Sequence, residues 1–329
     1  MVAVFTADDL WCKAHTLTRQ GAWTHWCENV RPLDFSWKNL IYGPGKRILS
    51  FLLNAQINSL PSPSMMKLMG YSSSDICPLC KSRKTQKICT LFHILVGCDR
   101  ALKTKRYSWR HDSVLATLLP HLQRKIKEIN ACKPGKDCIP HISSSFVSAN
   151  KNSKSSFRVF HFQRSLLHGA YDWQLLVDFN HNQIVFPPTI CPTDLRPDIV
   201  IWSESLKKVI IIELTCPAEE NIVAAQVRKS ARYLELQNLI KTFTKGSWTS
   251  KALTIEVGAR GFVARSMSSC LRRLGFSSRS TSHICRSVSL ITARCSYAIW
   301  CARTQKKWKK STLLVPHADK SDATDEQRS

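Results

Sequence analysis

The 329 residues are enough for two modest cores, and with 43% hydrophobic and 22% charged residues they have the balance of a soluble globular protein. No apolar run reaches the roughly 18–20 residues of a membrane span, and "MVAVFTADDLWCK" lacks the basic start of a secretory signal, so no membrane partner is expected. Lys and Arg number 48 against 23 Asp and Glu, a formal charge of +25; such a field favours polyanions, nucleic acid first, over an ordinary solvated basic face.

In chain order, residues 1–70 are Trp-rich and contain a helix-like run, "KRILSFLLNAQIN" (46–58), stopped by "LPSPS". "FTADD" (5–9) has a polymerase-like Asp-Asp pair but no room for a palm fold before it, and reads as coincidence or a helix cap. A Cys/His segment fills 71–105. Helical spacing runs from about 106 to 130, with a break expected at Pro120. Residues 131–157 read as a loop or linker. Strands are expected at 172–179, 183–187, 197–203 and 208–214, a helix over about 219–243, and a strand at 251–257. Two basic helices, near 265–274 and 284–308, close the ordered part, and the tail 311–329 is expected to be disordered. The fold class that follows is α/β, a mixed β-sheet flanked by helices over 106–310, with a helical N-terminal region and a small zinc knuckle.

With no secretory signal, the 14 Cys are expected to be reduced thiols or metal ligands. Cys12, Cys27, Cys270 and Cys285 are scattered and read as small buried hydrophobes. In "CPLCKSRKTQKICTLFHILVGC", Cys77 and Cys80 lie two residues apart, His93 and Cys98 four apart, with twelve residues between the pairs. Three soft thiolates and an imidazole suit a closed, structural Zn²⁺ site; Cys89 is a second-choice ligand, and reduced thiols beside a core histidine are the alternative.

"LRPDIVIWSESLKKVIIIELTCP" (195–217) puts one acid in each of two apolar strand-like runs, Asp198 and Glu213. A carboxylate in a buried strand is costly without a partner. On adjacent hairpin strands the two acids can meet at one sheet edge, where a shared Mg²⁺ or Mn²⁺ relieves their repulsion. Lys229 and Arg232 follow three apart on one helix face. Folded back on the sheet, that helix could aim Lys229 at an attacking water or a scissile phosphate, as phosphodiester hydrolysis requires. Asp198 as a cap and Glu213 as a salt-bridge partner of Lys229 remain open alternatives.

The run "RPDIVIW…VIIIELTCPAEEN…VRKSARY…IEVGARGFV" resembles the restriction-like PD-(D/E)xK endonuclease domain of site-specific non-LTR retrotransposons. "CPLC…LFHILVGCDRALKTKRYSWRHDSVL" is similar to the same polyproteins' zinc knuckle and Arg-His-Asp motif, and "FLLNAQINSLPSPSMMKLMGYSSSDICPLC" to their linker, so the resemblance spans about 37–300. It implies that Asp198 and Glu213 are metal-binding acids and that Lys229 is a catalytic lysine displaced onto the helix. Thr215 then occupies the usual lysine slot, and Arg232 stands where relatives often carry a second lysine. Tyr233 matches an aromatic of the pattern. Cys77, Cys80, His93 and Cys98 match the knuckle ligands, although the interval before His93 is longer than in many relatives. Arg110, His111 and Asp112 match the Arg-His-Asp motif, and Asp112 could equally be a helix N-cap. The reverse transcriptase of such elements has no counterpart here.

The expected function is therefore a divalent-metal DNA endonuclease that nicks target DNA so that the 3′-hydroxyl primes reverse transcription, with structural Zn²⁺, catalytic Mg²⁺ or Mn²⁺, and nuclear localisation. A nucleic-acid-binding protein that has lost cleavage is the runner-up, and the upstream zinc cluster disfavours a bare resolvase-like or repair-exonuclease core. DNA is the expected partner and element RNA an open second one; oligomeric state is not legible. Arg110 and His111, with Arg272 and Arg273 on a basic helix adjoining the core, are expected to contact nucleic acid. Lys306, Lys307, Lys309 and Lys310 around Trp308 read first as a solvated face or import patch.

Overall fold

The structure is a computed structural model that describes residues 6–26, 45–80, 86–132, 165–178 and 185–308. Helix α1 (Ala7–Thr16) begins at the Asp-Asp stretch. Thr6 Oγ1 accepts from Asp9 N at 3.2 Å and Asp9 Oδ2 accepts from Thr6 N at 3.0 Å, a reciprocal capping box. The Thr6 hydroxyl, at 2.7 Å, and the Thr6 backbone N both donate to Asp9 Oδ2 and hold that carboxyl below its ordinary range. "FTADD" is thus a helix start. Of the scattered thiols, Cys12 is exposed, contrary to expectation, whereas Cys270 and Cys285 are buried; Cys27 lies outside the described residues.

Helix α2 (Lys46–Gln56) ends before "LPSPS", which also starts α3 (Pro63–Leu68), where Ser62 Oγ caps Met65 N and Pro63 takes the first helical position. A π turn at His93–Gly97 leads into α4 (Asp99–Lys103), and Lys105 turns the chain through a left-handed conformation into α5 (Arg106–Asn130). The break expected at Pro120 does not occur. Pro120 and Ala116 are both on the solvent side, so the carbonyl that loses its intrahelical donor can turn to water.

The sheet is built from β1 (Gln174–Val177), β2 (Ile199–Ser203), β3 (Lys208–Thr215) and β4 (Thr249–Glu256), in that spatial order. Pairs β1–β2 and β2–β3 are antiparallel, and α6 (Ile222–Phe243) crosses over so that β4 runs parallel to β3. The fold is therefore mixed α/β, as expected. The strand expected at 183–187 is absent over its described part, 185–187; Pro187 and Pro188 remove two ladder donors, and Phe186 and Ile190 fill the core as a turn. Helices α7 (Arg265–Arg273) and α8 (Ser278–Cys301) complete the order, α8 starting at the Ser277 cap, earlier than its hydrophobic pattern suggested. Among the described residues no helix is long and apolar enough to cross a membrane. The linker expected at 131–157 lies almost wholly outside the described residues, as do Lys309, Lys310 and the tail 311–329.

Strand β3 is buried on both faces, which is why its sequence reads "VIIIEL" without alternation. Val209 and Ile211 pack with Tyr233, Leu236 and Ile240 of α6. Ile210, Ile212 and Leu214 face the opposite layer, where α5, α7 and α8 supply Leu115, Leu118, Met267 and Val288. Glu213 has the parity of Val209 and Ile211, so it faces α6. That parity decides which helix can reach it.

A second apolar core joins α2, the Cys/His segment and α8 through Phe51, Leu52, Leu95, Ala293 and Trp300. Beside it, Arg260 is buried against Glu219: its backbone N and Nη1 donate to the two carboxylate oxygens at 2.6 and 2.7 Å. The same guanidinium donates to Ala55 O of α2 at 3.1 Å and Asn58 Oδ1 at 3.1 Å, tying the N-terminal helices to the turn after β4. Gly258 lies so close to Glu219 that a Cβ there would sit 2.2 Å from its Oε1. Arg260→Met leaves Glu219 buried without its counter-charge and should destabilise by about 3–5 kcal/mol in urea unfolding; a loss below about 1 kcal/mol would mean that water replaces the arginine.

Candidate carboxylate and thiolate sites

Strands β2 and β3 bring the two acids together through reciprocal backbone contacts. Leu214 N donates to Asp198 Oδ2 at 2.7 Å, and Asp198 N approaches Glu213 Oε2 at 3.4 Å. Each carboxylate is held by the other strand's backbone. From α6, the Lys229 ammonium pairs with Glu213 Oε1, and Tyr233 OH donates to Glu213 Oε2 at 2.6 Å. Asp198, Glu213 and Lys229 thus meet at one point, with side-chain exposures of 15%, 6% and 23%. Burial, then the charge of Asp198, raises the Glu213 pKa, while Lys229 and Tyr233 pull it back. Burial likewise raises the Tyr233 phenol, so it serves as a donor. Arg232, exposed on α6, stands outside this contact and acts on Tyr233 only through its charge.

Helix α5 reaches the same point from the other layer. His111 Nε2 lies 3.3 Å from both Asp198 Oδ2 and Leu214 O, and Nδ1 lies 3.3 Å from Asp112 Oδ1. Burial alone would lower the imidazole pKa, but hydrogen bonds to Asp112 and Asp198 raise it well above the ordinary value. Asp112 lies inside α5, which settles its helix-cap reading in the negative.

Arg110 is only 1% exposed, which corrects its expected place at a nucleic-acid surface. Its guanidinium donates to Leu95 O at 3.0 Å, Ser296 Oγ at 3.0 Å and Cys216 O at 3.2 Å, so it joins the His93 turn, α8 and the end of β3. Backbone carbonyls solvate this charge in place of water. Arg272 is exposed at the end of α7 and donates to Ser278 Oγ, and Arg273 is half-buried beside it. Lys306 and Lys307 are exposed, whereas Trp308 packs edge-on to Trp109 and under Arg106.

One acid escaped the sequence reading. Glu256 ends β4 in register with Thr215 of β3, is fully buried, and pairs with Ser266 Oγ through Oε2. Its Oε1 and Thr215 Oγ1 have no hydrogen-bond partner among the described residues. The signal was available: an acid inside the apolar run "LTIEVGA" is the same anomaly that singled out Glu213. Burial raises the Glu256 pKa above 4.5, against the opposing bonds from Ser266 and Thr254. The unfolded chain therefore releases this proton first as pH rises, and stability falls from about pH 4.5 upward. Glu256→Gln should raise the melting temperature at neutral pH and flatten that decline; an unchanged pH profile would show Glu256 to be ionised in the fold.

The thiolate site converges as the spacing predicted. The ligand atoms of Cys77, Cys80, His93 and Cys98 all lie within 4.8 Å of one another. Cys80 Sγ is 3.4 Å from Cys98 Sγ and 3.5 Å from His93 Nε2. Tetrahedral ligands at about 2.3 Å from a zinc ion stand about 3.8 Å apart, so this cluster can hold a metal ion such as zinc. The Ile76–Ile88 bridge and the Cys77 N to Lys87 O bond place the first pair, and the π turn aims His93 inward. Cys89 lies outside the four, its thiol against Cys77. Hydrogen bonds from Cys89 and Cys98 drive the Cys77 pKa down, and the same bonds push the Cys89 and Cys98 thiols up.

Tyr107 OH of α5 donates to Ile94 O at 2.9 Å and accepts from Cys98 N at 3.0 Å, so helix α5 grips both the His93 turn and, through His111, the carboxylates. No family model matches the chain, and no curated protein matches it in sequence, so this geometry is the ground for assigning a function.

Proposed function

We propose that this chain is a divalent-metal-dependent DNA endonuclease of the PD-(D/E)xK type, the zinc and nuclease region of a site-specific non-LTR retrotransposon polyprotein. The observation that carries the reading is the meeting of Asp198, Glu213 and Lys229 at one point between β2, β3 and α6. Two carboxylates this close, one with its pKa raised by burial and then by the other's charge, suit a hard divalent cation, Mg²⁺ or Mn²⁺. Such a cation supplies Lewis-acid charge and a more acidic water. The chain's own part is to hold the acids: the backbone of β3 fixes Asp198, and Tyr233 fixes Glu213. Lys229, a quarter exposed, is the cation that would face a scissile phosphate once released from Glu213. The net charge of +25 suits DNA or element RNA, and a chromosomal target implies work in the nucleus.

A second reading, a nucleic-acid-binding protein without cleavage, is favoured by one contact. The direct Lys229–Glu213 ion pair satisfies both groups with no metal. Incubation of the zinc-loaded protein with supercoiled plasmid and Mg²⁺ or Mn²⁺, beside Asp198→Ala, separates the two. Relaxed circles from the wild type alone support the nuclease. Plasmid binding without nicking under either metal supports the binding protein.

A further inference from the structure

The Arg-His-Asp stretch of α5 was expected at a nucleic-acid surface, and its atoms are turned the other way. Both His111 ring nitrogens already face acceptors inside the protein: Nε2 has Asp198 Oδ2 and Leu214 O, each at 3.3 Å, and Nδ1 has Asp112 Oδ1 at 3.3 Å. A phosphate contact would have to give one of these up. Asp198 Oδ2, in turn, is pinned between two donors from different layers, Leu214 N of β3 and His111 of α5. The neighbouring Arg110 fixes Cys216 O, two residues beyond the carbonyl that His111 touches. The end of β3 and the head of β2 are therefore both fastened to α5 by consecutive side chains.

We infer that His111 is a positioning residue of the carboxylate site: its imidazole clamps Asp198 against the end of β3 and so sets the relation between the two acids. Asp112 orients the ring from behind. The role rests on the metal-dependent nuclease reading, since the acids it aligns are the ones that reading assigns to the cation. Partners that hydrogen-bond a metal's carboxylate ligands typically contribute 10–100-fold to metal affinity. A phosphate contact would contribute instead to nucleic-acid affinity and its salt dependence.

The test measures two constants on the zinc-loaded chain of 329 residues. Mn²⁺ affinity is read from the electron-paramagnetic-resonance signal of free Mn²⁺, and affinity for a labelled duplex from anisotropy in Ca²⁺ across a salt series. His111→Ala should weaken Mn²⁺ binding by roughly tenfold or more and leave the duplex salt slope unchanged. His111→Gln, which keeps an N–H at a similar reach, should recover most of the loss. Asp112→Asn, a milder change that reads the clamp if His111→Ala misfolds, should weaken Mn²⁺ binding less than His111→Ala. If His111→Ala misfolds, weakened Mn²⁺ binding in Asp112→Asn supports the clamp, and wild-type Mn²⁺ affinity in Asp112→Asn, with loss in Asp198→Ala, overturns it. If His111→Ala folds and keeps wild-type Mn²⁺ affinity while Asp198→Ala loses it, the clamp is wrong and the metal site stands. A salt slope lowered by about one unit in His111→Ala overturns the inference in favour of a phosphate contact. Wild-type Mn²⁺ affinity in Asp198→Ala removes the metal site itself, and the positioning role falls with it.

Discussion

Asp198→Ala should abolish Mg²⁺-dependent nicking of supercoiled plasmid while leaving duplex affinity within about threefold, because affinity rests on many phosphate contacts elsewhere on a strongly basic protein. Glu213→Gln should do the same with almost no change in volume; it keeps an acceptor for Tyr233, so a loss of nicking would report the missing charge and not a collapsed site. Lys229→Met separates two roles. If the ammonium stabilises charge on the phosphate, its removal should lower the nicking rate by roughly 10²–10³ with metal affinity retained. If it serves only to neutralise Glu213, the same change should leave nicking intact, since the cation takes over that task. Nicking by Asp198→Ala at the wild-type rate would end the nuclease reading altogether.

What could be read from the sequence was what is local. Strands β2 and β3 stand out because apolar runs lie between Pro197 and Pro217, and the short turn between them sets a register in which Ile199 faces Ile212. That register puts Asp198 beside Glu213, and one-turn spacing on α6 puts Lys229 and Tyr233 on a common face. The thiolate cluster was legible for the same reason, its ligands coming in two short-spaced pairs. His111 was not. Its contact with Asp198 spans two layers and depends on where α5 docks, which no local pattern encodes. Arg110 misled because a sequence displays its charge but not the carbonyls of Leu95 and Cys216 that solvate it. Pro120 misled because its effect depends on which face it occupies, and on the solvent face a helix can spare one bond.

Stripping zinc should lower the melting temperature of the whole sheet unit and not merely release a small module. A free-standing knuckle would unfold by itself, as zinc fingers do, with apparent metal-linked energies of about 10–16 kcal/mol confined to it. Here Cys77 and Cys98 lie in one apolar cluster with Phe51 and Leu52 of α2 and Ala293 and Trp300 of α8. Tyr107 and Arg110 bond the His93 turn to α5, and α5 packs on the layer that backs β3. Loss of the ligand geometry therefore removes support from α8 and α5 together. In a unit of this size each kcal/mol transmitted lowers the midpoint by roughly 2–4 °C, so transmission of even a third of the metal's contribution would be visible in a thermal scan. A zinc-selective chelator, and separately Cys98→Ser, should each shift the main transition downward. A main transition that stays in place, with only a small new one at low temperature, would show that the thiolate segment folds on its own account and that its contacts with α5 and α8 contribute little.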